Sequence, residues 1–147
     1  MPRRLLPTAA LGLLAAGALP AAAASPIGEW RTEGDKARVR IEPCPGSTER
    51  LCGAITWSYR PADAPPGPLV DVHNQDPALR ARPILGLPLL QGFAPDGPDA
   101  WSGGTIYDPE GGKTYRSQMR LKDPDTLEVE GCVLLFCRGQ IWKRYQG

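Results

Sequence analysis

Six polar side chains lie close together in the middle of the sequence, and these residue types are the ones most able to do chemistry. They are Asp71, His73, Asn74, Asp76, Arg80 and Arg82. One imidazole with two carboxylates resembles a facial-triad metal site, but such spacing is ordinary for a polar loop. A hydrolase would need a nucleophile beside His73, and the sequence has no Gly-x-Ser-x-Gly elbow. We therefore predict no catalytic residues, no metal and no cofactor.

The same residues are better explained as the contacts that hold a long loop in place. Asp76 followed by Pro77 predicts a helix N-cap, with a short helix through Arg82 that stops before Pro83. Asp71 and Asn74 are suited to bonding backbone amides, and the arginines to pairing with carboxylates. The alternative is a ligand site at an open barrel end, for which the candidate residues are His73, Arg80, Arg82, Tyr107 and Tyr115.

Four cysteines, Cys44, Cys52, Cys132 and Cys137, allow three disulfide connectivities. Each of the pairs 44/52 and 132/137 flanks a segment short enough to connect two strands, which favours Cys44–Cys52 and Cys132–Cys137. Bridges between the two pairs remain the alternative. Zinc is the minority interpretation, because the spacing is wrong and no local histidine completes a site.

The local pairing has a consequence for the segment between Cys132 and Cys137. It would hold Val133, Leu134, Leu135 and Phe136 at an exposed tip, where four apolar residues suggest contact with lipid, a ligand or an envelope protein. Burial under the long loop or in the core is the favoured expectation, because apolar residues usually find burial.

The N-terminus has the three parts of a secretory signal peptide: basic Arg3 and Arg4, an apolar stretch, and small residues up to Ala24. We predict a leader over residues 1–24 and a single domain over residues 25–147, exported to the periplasm. Loss of the leader changes the formal net charge from +1 to −1, which gives no reason to expect nucleic-acid binding. The mature chain has no apolar run long enough for a transmembrane helix.

Alternating apolar and polar residues predict an antiparallel all-β fold. Residues 114–122 and 127–133 alternate with period two around a turn at Lys122-Asp-Pro-Asp125, and further strands are predicted at 28–32, 37–42, 51–60, 104–108 and 139–145. Pro61 to Ala100 holds nine of the seventeen prolines and is predicted to be a long loop carrying one short helix. A meander of this size can remove its edges by closing into an up-and-down barrel.

The sequence resembles a bacterial exported family known as domain of unknown function 2147. The resemblance covers about Ile27 to Tyr145 and rests on an ordered set of motifs: Gly28-x-Trp30, Cys52-Gly-x-Ile55, Asp71-x-x-Asn74-x-Asp76-Pro-x-Leu-Arg80-x-Arg82, Gly86-Leu-Pro-Leu-Leu-x-Gly-Phe93, Trp101-x-x-Gly104-x-Ile-Tyr-Asp-Pro109-x-x-Gly-Lys-x-Tyr115 and Gln140-x-Trp142-x-Arg144. Gln75 departs from the family, which often has proline there. The resemblance implies a lipocalin-like barrel of about seven to nine strands, a periplasmic location and no established activity.

Two functions are consistent with this fold. A barrel of about eight strands has room for one small, partly apolar or anionic ligand, which predicts a non-enzymatic binding module. An envelope interaction protein with a filled core, acting through its surface, is the alternative. In either case Trp30 and Arg144 are expected to stack as a structural clasp at one end of the barrel.

Overall fold

Eight antiparallel strands follow one another in chain order, and the last strand pairs with the first to close a barrel. This is the architecture of the computed structural model, which describes residue 2 and residues 16–19 and 23–147. The predicted leader, residues 1–24, therefore lies largely outside the described residues. The strands are β1 Gly28–Arg31, β2 Ala37–Pro43, β3 Leu51–Ser58, β4 Pro88–Pro95, β5 Ala100–Asp108, β6 Lys113–Asp123, β7 Thr126–Val133 and β8 Phe136–Arg144.

Along β6 and β7 the alternation in the sequence identifies most of the residues that face the core, although Tyr115 is half-buried and Val133 is exposed. Along β6, Ser117, Met119 and Leu121 are buried, whereas their polar neighbours are exposed. Along β7, Leu127 and Val129 are buried, and Leu127 lies opposite Trp142 of β8. The all-β barrel prediction is confirmed, because the period of two places one face of each strand against the core.

Three details of the sequence prediction were wrong. Strand β4 lies inside the segment predicted to be loop, because register shifts in its pairing with β3 leave Leu89 and Leu90 both buried and break the period of two. Strand β8 begins at Phe136 instead of residue 139. The predicted helix is only a 3-10 turn over Pro77–Leu79. In the described part of the chain, no helix has the length and apolar character that a bilayer crossing requires.

Side chains fill the barrel interior. The core residues are Trp30, Val39, Ile41, Leu51, Ile55, Leu87, Leu89, Leu90, Phe93, Tyr107, Met119, Leu121, Leu127, Val129 and Trp142. The ring of Phe93 lies so close to Gly104 that a Cβ there would come within 2.5 Å of the ring. Glycine at this position therefore leaves space on the barrel wall for a large aromatic side chain.

One end of the barrel is closed by Trp30 and Arg144. The Arg144 guanidinium lies 4.2 Å from the centroid of a Trp30 ring, and it donates hydrogen bonds to the carbonyl oxygens of Ser25 and Ile27. The indole Nε1 of Trp30 donates to the carbonyl oxygen of Pro26 at 2.8 Å. These contacts hold the segment before β1 across the barrel end, which is the geometry that the predicted clasp requires.

The other end is covered by the connection between β3 and β4, residues 59–87, which we call the long loop. Its backbone continues the pairing of β3, because Ile55 N donates to the Leu87 carbonyl oxygen and Gly86 N donates to that of Ile55. The turn between β5 and β6 packs against it so closely that a Cβ on Gly112 would overlap the His73 carbonyl oxygen. An ion pair from Lys36 to Glu110, at 3.0 Å, joins two turns on opposite sides of this mouth.

We predict that Gly112→Ala destabilises the fold by about 2–4 kcal/mol in urea unfolding. Gly112 has φ +66°, and the added Cβ would also push the long loop off the turn. Gly103→Ala is the matched control, since its φ is +72° but nothing lies within 4 Å of the added Cβ. An equal decrease in the free energy of unfolding in the two variants would show that the contact between turn and loop contributes no stability.

Candidate functional site

A buried carboxylate, Asp71, lies at the centre of the polar cluster predicted from the sequence. Its side chain is on the long loop and is only 1% exposed. The Tyr107 hydroxyl donates to Oδ1 at 2.6 Å, and Asn74 Nδ2 and Arg82 Nε donate to Oδ2 at 2.9 and 3.0 Å. We call Asp71, Asn74, Arg82 and Tyr107 the loop cluster.

The cluster stabilises the charged form of Asp71. Burial alone would raise the pKa of this carboxyl group, but the hydrogen bonds from Tyr107, Asn74 and Arg82 and the positive charge of Arg82 outweigh it, so that the pKa is lowered from 3.8. The pKa of the Tyr107 phenol is raised, mainly by burial and to a smaller extent by its hydrogen bond to Asp71 and the negative charge of that residue. Both groups are therefore held in their ordinary forms at neutral pH, carboxylate and phenol, and neither is prepared for proton transfer.

Local geometry explains how the loop brings the cluster together. Residues Val70 and Pro83 form an isolated antiparallel bridge, and Asp71 N donates to the Arg82 carbonyl oxygen at 3.0 Å. Asp76 Oδ1 accepts a hydrogen bond from Ala78 N at the start of the 3-10 turn, as an N-cap does. The turn reverses the chain and places Arg82 beside Asp71.

The structure brings together only part of the ligand site considered from the sequence. Arg82 and Tyr107 meet at Asp71, whereas Arg80 Nε donates to the Asn74 carbonyl oxygen at 2.7 Å, within the loop. His73 is exposed and meets the β5–β6 turn through its backbone. Tyr115 is half-buried and lies opposite Ile106. None of these five residues lines either of the two surface pockets, one across β5, β6 and β7 and one between the β1–β2 turn and β8.

The loop cluster is a structural contact. Among the described residues, no buried side-chain nitrogen or oxygen lacks a hydrogen-bond partner, so no buried polar group of the cluster is left over for a ligand. The sequence indicated the loop residues but not the partner Tyr107, which is 36 positions from Asp71. Tyr107, at the end of β5, comes next to Asp71 only in the folded barrel, and no local sequence pattern indicates this contact.

Metal binding has little support in the described residues. His73, Asp71 and Asp76 do not form a group of metal ligands there, and the group that does is Glu130 with Cys132 and Cys137. Both of those sulfurs are bonded to each other, because the disulfides are Cys44–Cys52 and Cys132–Cys137. The local pairing predicted from the sequence is thus confirmed.

The segment between Cys132 and Cys137 is the most unusual surface feature of the described chain. Val133 and Phe136 lie opposite each other at the end of the β7–β8 hairpin, and Leu134 and Leu135 form its turn. Leu134, Leu135 and Phe136 are 78%, 95% and 82% exposed. The favoured expectation that these side chains are buried was wrong, because the hairpin extends beyond the end of β1 and finds no core to pack against.

The backbone of this tip, residues 133–136, is also unusual. Leu134 has φ +54°, in the left-handed region that two-residue hairpin turns normally fill with glycine, asparagine or aspartate. For a residue with a Cβ this conformation costs roughly 1–2 kcal/mol. The disulfide lies directly behind the tip and fixes the two strands to each other. The chain therefore holds apolar side chains in water at a turn position that a small or polar residue would fill more favourably.

Two shallow pockets lie outside the barrel wall. One, of about 250 Å³, crosses β5, β6 and β7 and includes Trp101, Gln118 and Glu130. The other, of about 260 Å³, lies between the β1–β2 turn and β8, near Glu33 and Lys143. Of the core residues, only Met119 lines either of these two pockets.

We predict that Asp71→Asn lowers the free energy of unfolding by about 1–3 kcal/mol at pH 7, because the amide loses the charge that Arg82 pairs with. In the wild type, the pKa of Asp71 is lower in the folded protein than in the unfolded chain, where it is 3.8. The charge of Asp71 therefore stabilises the fold fully above pH 3.8, and this stabilisation is lost as the pH falls through the folded-state pKa. The difference from wild type should thus shrink below about pH 4 in chemical unfolding. Asp63→Asn, exposed on the same loop, is the control and should have no effect. A pH-independent difference would contradict the role given to the charge.

Comparisons with known proteins agree with this architecture. A search of the curated proteins found no significant match. Among solved structures, the chain is similar to one titled "Protein HP1028 from the human pathogen Helicobacter pylori belongs to the lipocalin family", with 20% sequence identity, a TM-score of 0.68 and coverage of 82% of each chain. At that identity the likeness shows the fold, a lipocalin-like barrel. The family model described as "Uncharacterized protein conserved in bacteria (DUF2147)" matches residues 28–144, and the chain therefore belongs to this family.

Proposed function

We propose that this protein is a non-enzymatic interaction module of the bacterial envelope that binds through the exposed tip, residues 133–136. The observation that carries the proposal is the contrast between a filled barrel and four apolar residues displayed together in solvent. A lipocalin-like fold is consistent with a binding module, and the geometry supports binding on the outside of the barrel.

The small-ligand function expected from the sequence has less support. Core side chains occupy the interior, the long loop and the clasp cover the two ends, and the two pockets lie outside the wall. Arg82, which was expected to meet an anionic ligand, is instead paired with Asp71. Binding inside the barrel would require the loop cluster to open and the core to rearrange.

The exposed apolar side chains of the tip provide a large hydrophobic driving force for binding. Burial of one Val, Leu or Phe side chain contributes about 1.5–3 kcal/mol, so that four side chains together could supply roughly 6–12 kcal/mol before the costs of association. The rigid disulfide-bridged hairpin lowers one of those costs, because little conformational freedom remains to be lost on binding.

An envelope location supports the same function. Two disulfides are typical of proteins that fold in an oxidising compartment, and the signal peptide predicted over residues 1–24 would export the chain to the periplasm. There the tip would meet membranes and envelope proteins.

We predict that wild-type protein cosediments with envelopes isolated from a Gram-negative bacterium and that the double variant L134S/L135S loses most of this binding. The reason is the loss of two apolar side chains at the contact. The matched control is V72S/L85S, which removes two apolar side chains of 55% and 62% exposure from the long loop at the same end of the barrel.

The control should bind as wild type does, and both variants should keep the far-ultraviolet circular dichroism of a β-barrel. Binding that is equal in all three proteins would contradict the proposal. Binding of a small molecule inside the barrel would favour the other hypothesis.

A further inference from the structure

We propose that the tip docks into the interface of an anionic lipid bilayer, with Arg116 and Arg138 contacting lipid phosphates. This inference rests on the proposed function and names the partner. It makes the protein a peripheral membrane-binding barrel that inserts only the end of one hairpin.

The composition of the tip favours lipid over a protein partner. Contacts that dominate protein interfaces are rich in tryptophan, tyrosine and arginine, whereas leucine and valine are under-represented there. The tip is aliphatic except for Phe136. Leucine and phenylalanine are the apolar residues typical of interfacial membrane segments.

The shape of the tip favours the same partner. Its four side chains surround a two-residue turn at the end of a hairpin, so that they form a narrow projection and not a flat face. A stable protein interface needs roughly 800 Å² from each partner. Two tips brought together would bury less, which argues against a second copy of this chain. A fluid bilayer can surround a projection without any matching surface.

The charges behind the tip are positioned for lipid phosphates. Arg116 lies opposite Cys132, and Arg138 lies opposite Gly131, the preceding residue of β7. Because successive strand residues point to opposite faces, the two guanidinium groups flank the hairpin on both sides. Among the described residues neither has a carboxylate within 4.0 Å, and Arg116 instead donates to the Leu134 carbonyl oxygen of the tip itself.

One carboxylate lies near these arginines on the same hairpin. Glu130 is opposite Gly139 and accepts a hydrogen bond from the Gln118 side chain. It lies further from the tip than either Cys132 or Arg138 does along its strand, so the positive groups are the ones nearest the apolar residues. The end of the hairpin is therefore apolar first and basic next.

The spacing between these two zones matches the depth of a bilayer interface. Arg138 follows Phe136 by two residues, which places its backbone roughly 7 Å behind the outermost strand pair. Apolar groups of interfacial segments are buried roughly 5–10 Å into the boundary between the headgroups and the acyl chains. When the tip reaches that depth, the long arginine side chains lie at the level of the phosphates. Anionic lipids attract them, and zwitterionic lipids do so far less.

The test uses the full mature chain and protein-free vesicles. One set of vesicles contains equal parts phosphatidylglycerol and phosphatidylcholine, and the other contains phosphatidylcholine alone. Binding is measured by cosedimentation over a range of lipid concentrations. Wild type should bind the anionic vesicles more strongly. L135S should weaken binding to them roughly tenfold, since one buried leucine is lost. R138Q should weaken it roughly fivefold and leave binding to phosphatidylcholine unchanged.

L85S is the matched control for L135S, because it removes an exposed leucine from the long loop, and it should bind within about twofold of wild type. L135W gives a second readout: its fluorescence should shift to shorter wavelength with anionic vesicles and be quenched by brominated lipid. Mass spectrometry without reductant verifies that both disulfides remain in every variant.

The outcomes separate this inference from the function on which it rests. Envelope binding that depends on Leu134 and Leu135, together with no binding to protein-free vesicles, would overturn the lipid inference and leave the proposed function in place, with a protein as the partner. Vesicle binding equal in wild type and L135S would overturn the lipid inference as well. If the tip variants bound envelopes and vesicles as well as the wild type does, both the lipid inference and the proposed function would be overturned.

Discussion

The width of an eight-stranded barrel is the constraint on which the rest of this structure depends. A barrel of this size leaves an interior that side chains can fill completely or that can hold one small ligand. Here aliphatic and aromatic side chains occupy it: Trp30 and Trp142 are fully buried, and Phe93 lies against the bare backbone of Gly104. With the interior occupied, the proposed binding surface is among the connections at the ends of the barrel.

The two ends are closed by polar contacts of different kinds. At one end Arg144 stacks on Trp30 and bonds backbone carbonyl groups of the segment before β1. At the other, Asp71 collects hydrogen bonds from the long loop and from Tyr107 of β5. In both cases a charge that would be costly to bury is stabilised by several partners at once. Each contact joins chain segments that are distant in sequence, so it stabilises the closed barrel as a whole.

The β7–β8 hairpin differs from the two ends of the barrel, where the charged groups have several partners. Every buried polar side-chain atom among the described residues has a partner, yet the tip leaves four apolar side chains in solvent and holds Leu134 in a left-handed conformation. Folding alone does not favour either feature. A disulfide nevertheless fixes this hairpin immediately behind the exposed residues. Conformations that are unfavourable for folding and yet tightly held are common where a protein binds something else.

Local patterns in the sequence determined the strands and one face of the core, because period-two alternation and turn residues act over a few neighbouring positions. They also favoured the two disulfides that form, since each pair closes a short connection, and they indicated the N-cap at Asp76. The family resemblance supplied the closed barrel. The patterns did not locate β4, whose bulged pairing with β3 hides its alternation.

The tertiary structure alone decided which polar residues meet and whether the tip is buried. Tyr107 joins Asp71 only because the long loop folds back over the end of β5, and His73 is separated from the cluster for the same reason. The exposure of Leu135 depends on β8 extending past the end of β1. Such contacts depend on strand length and loop path across the whole barrel, and the residues of a single segment carry no information about either.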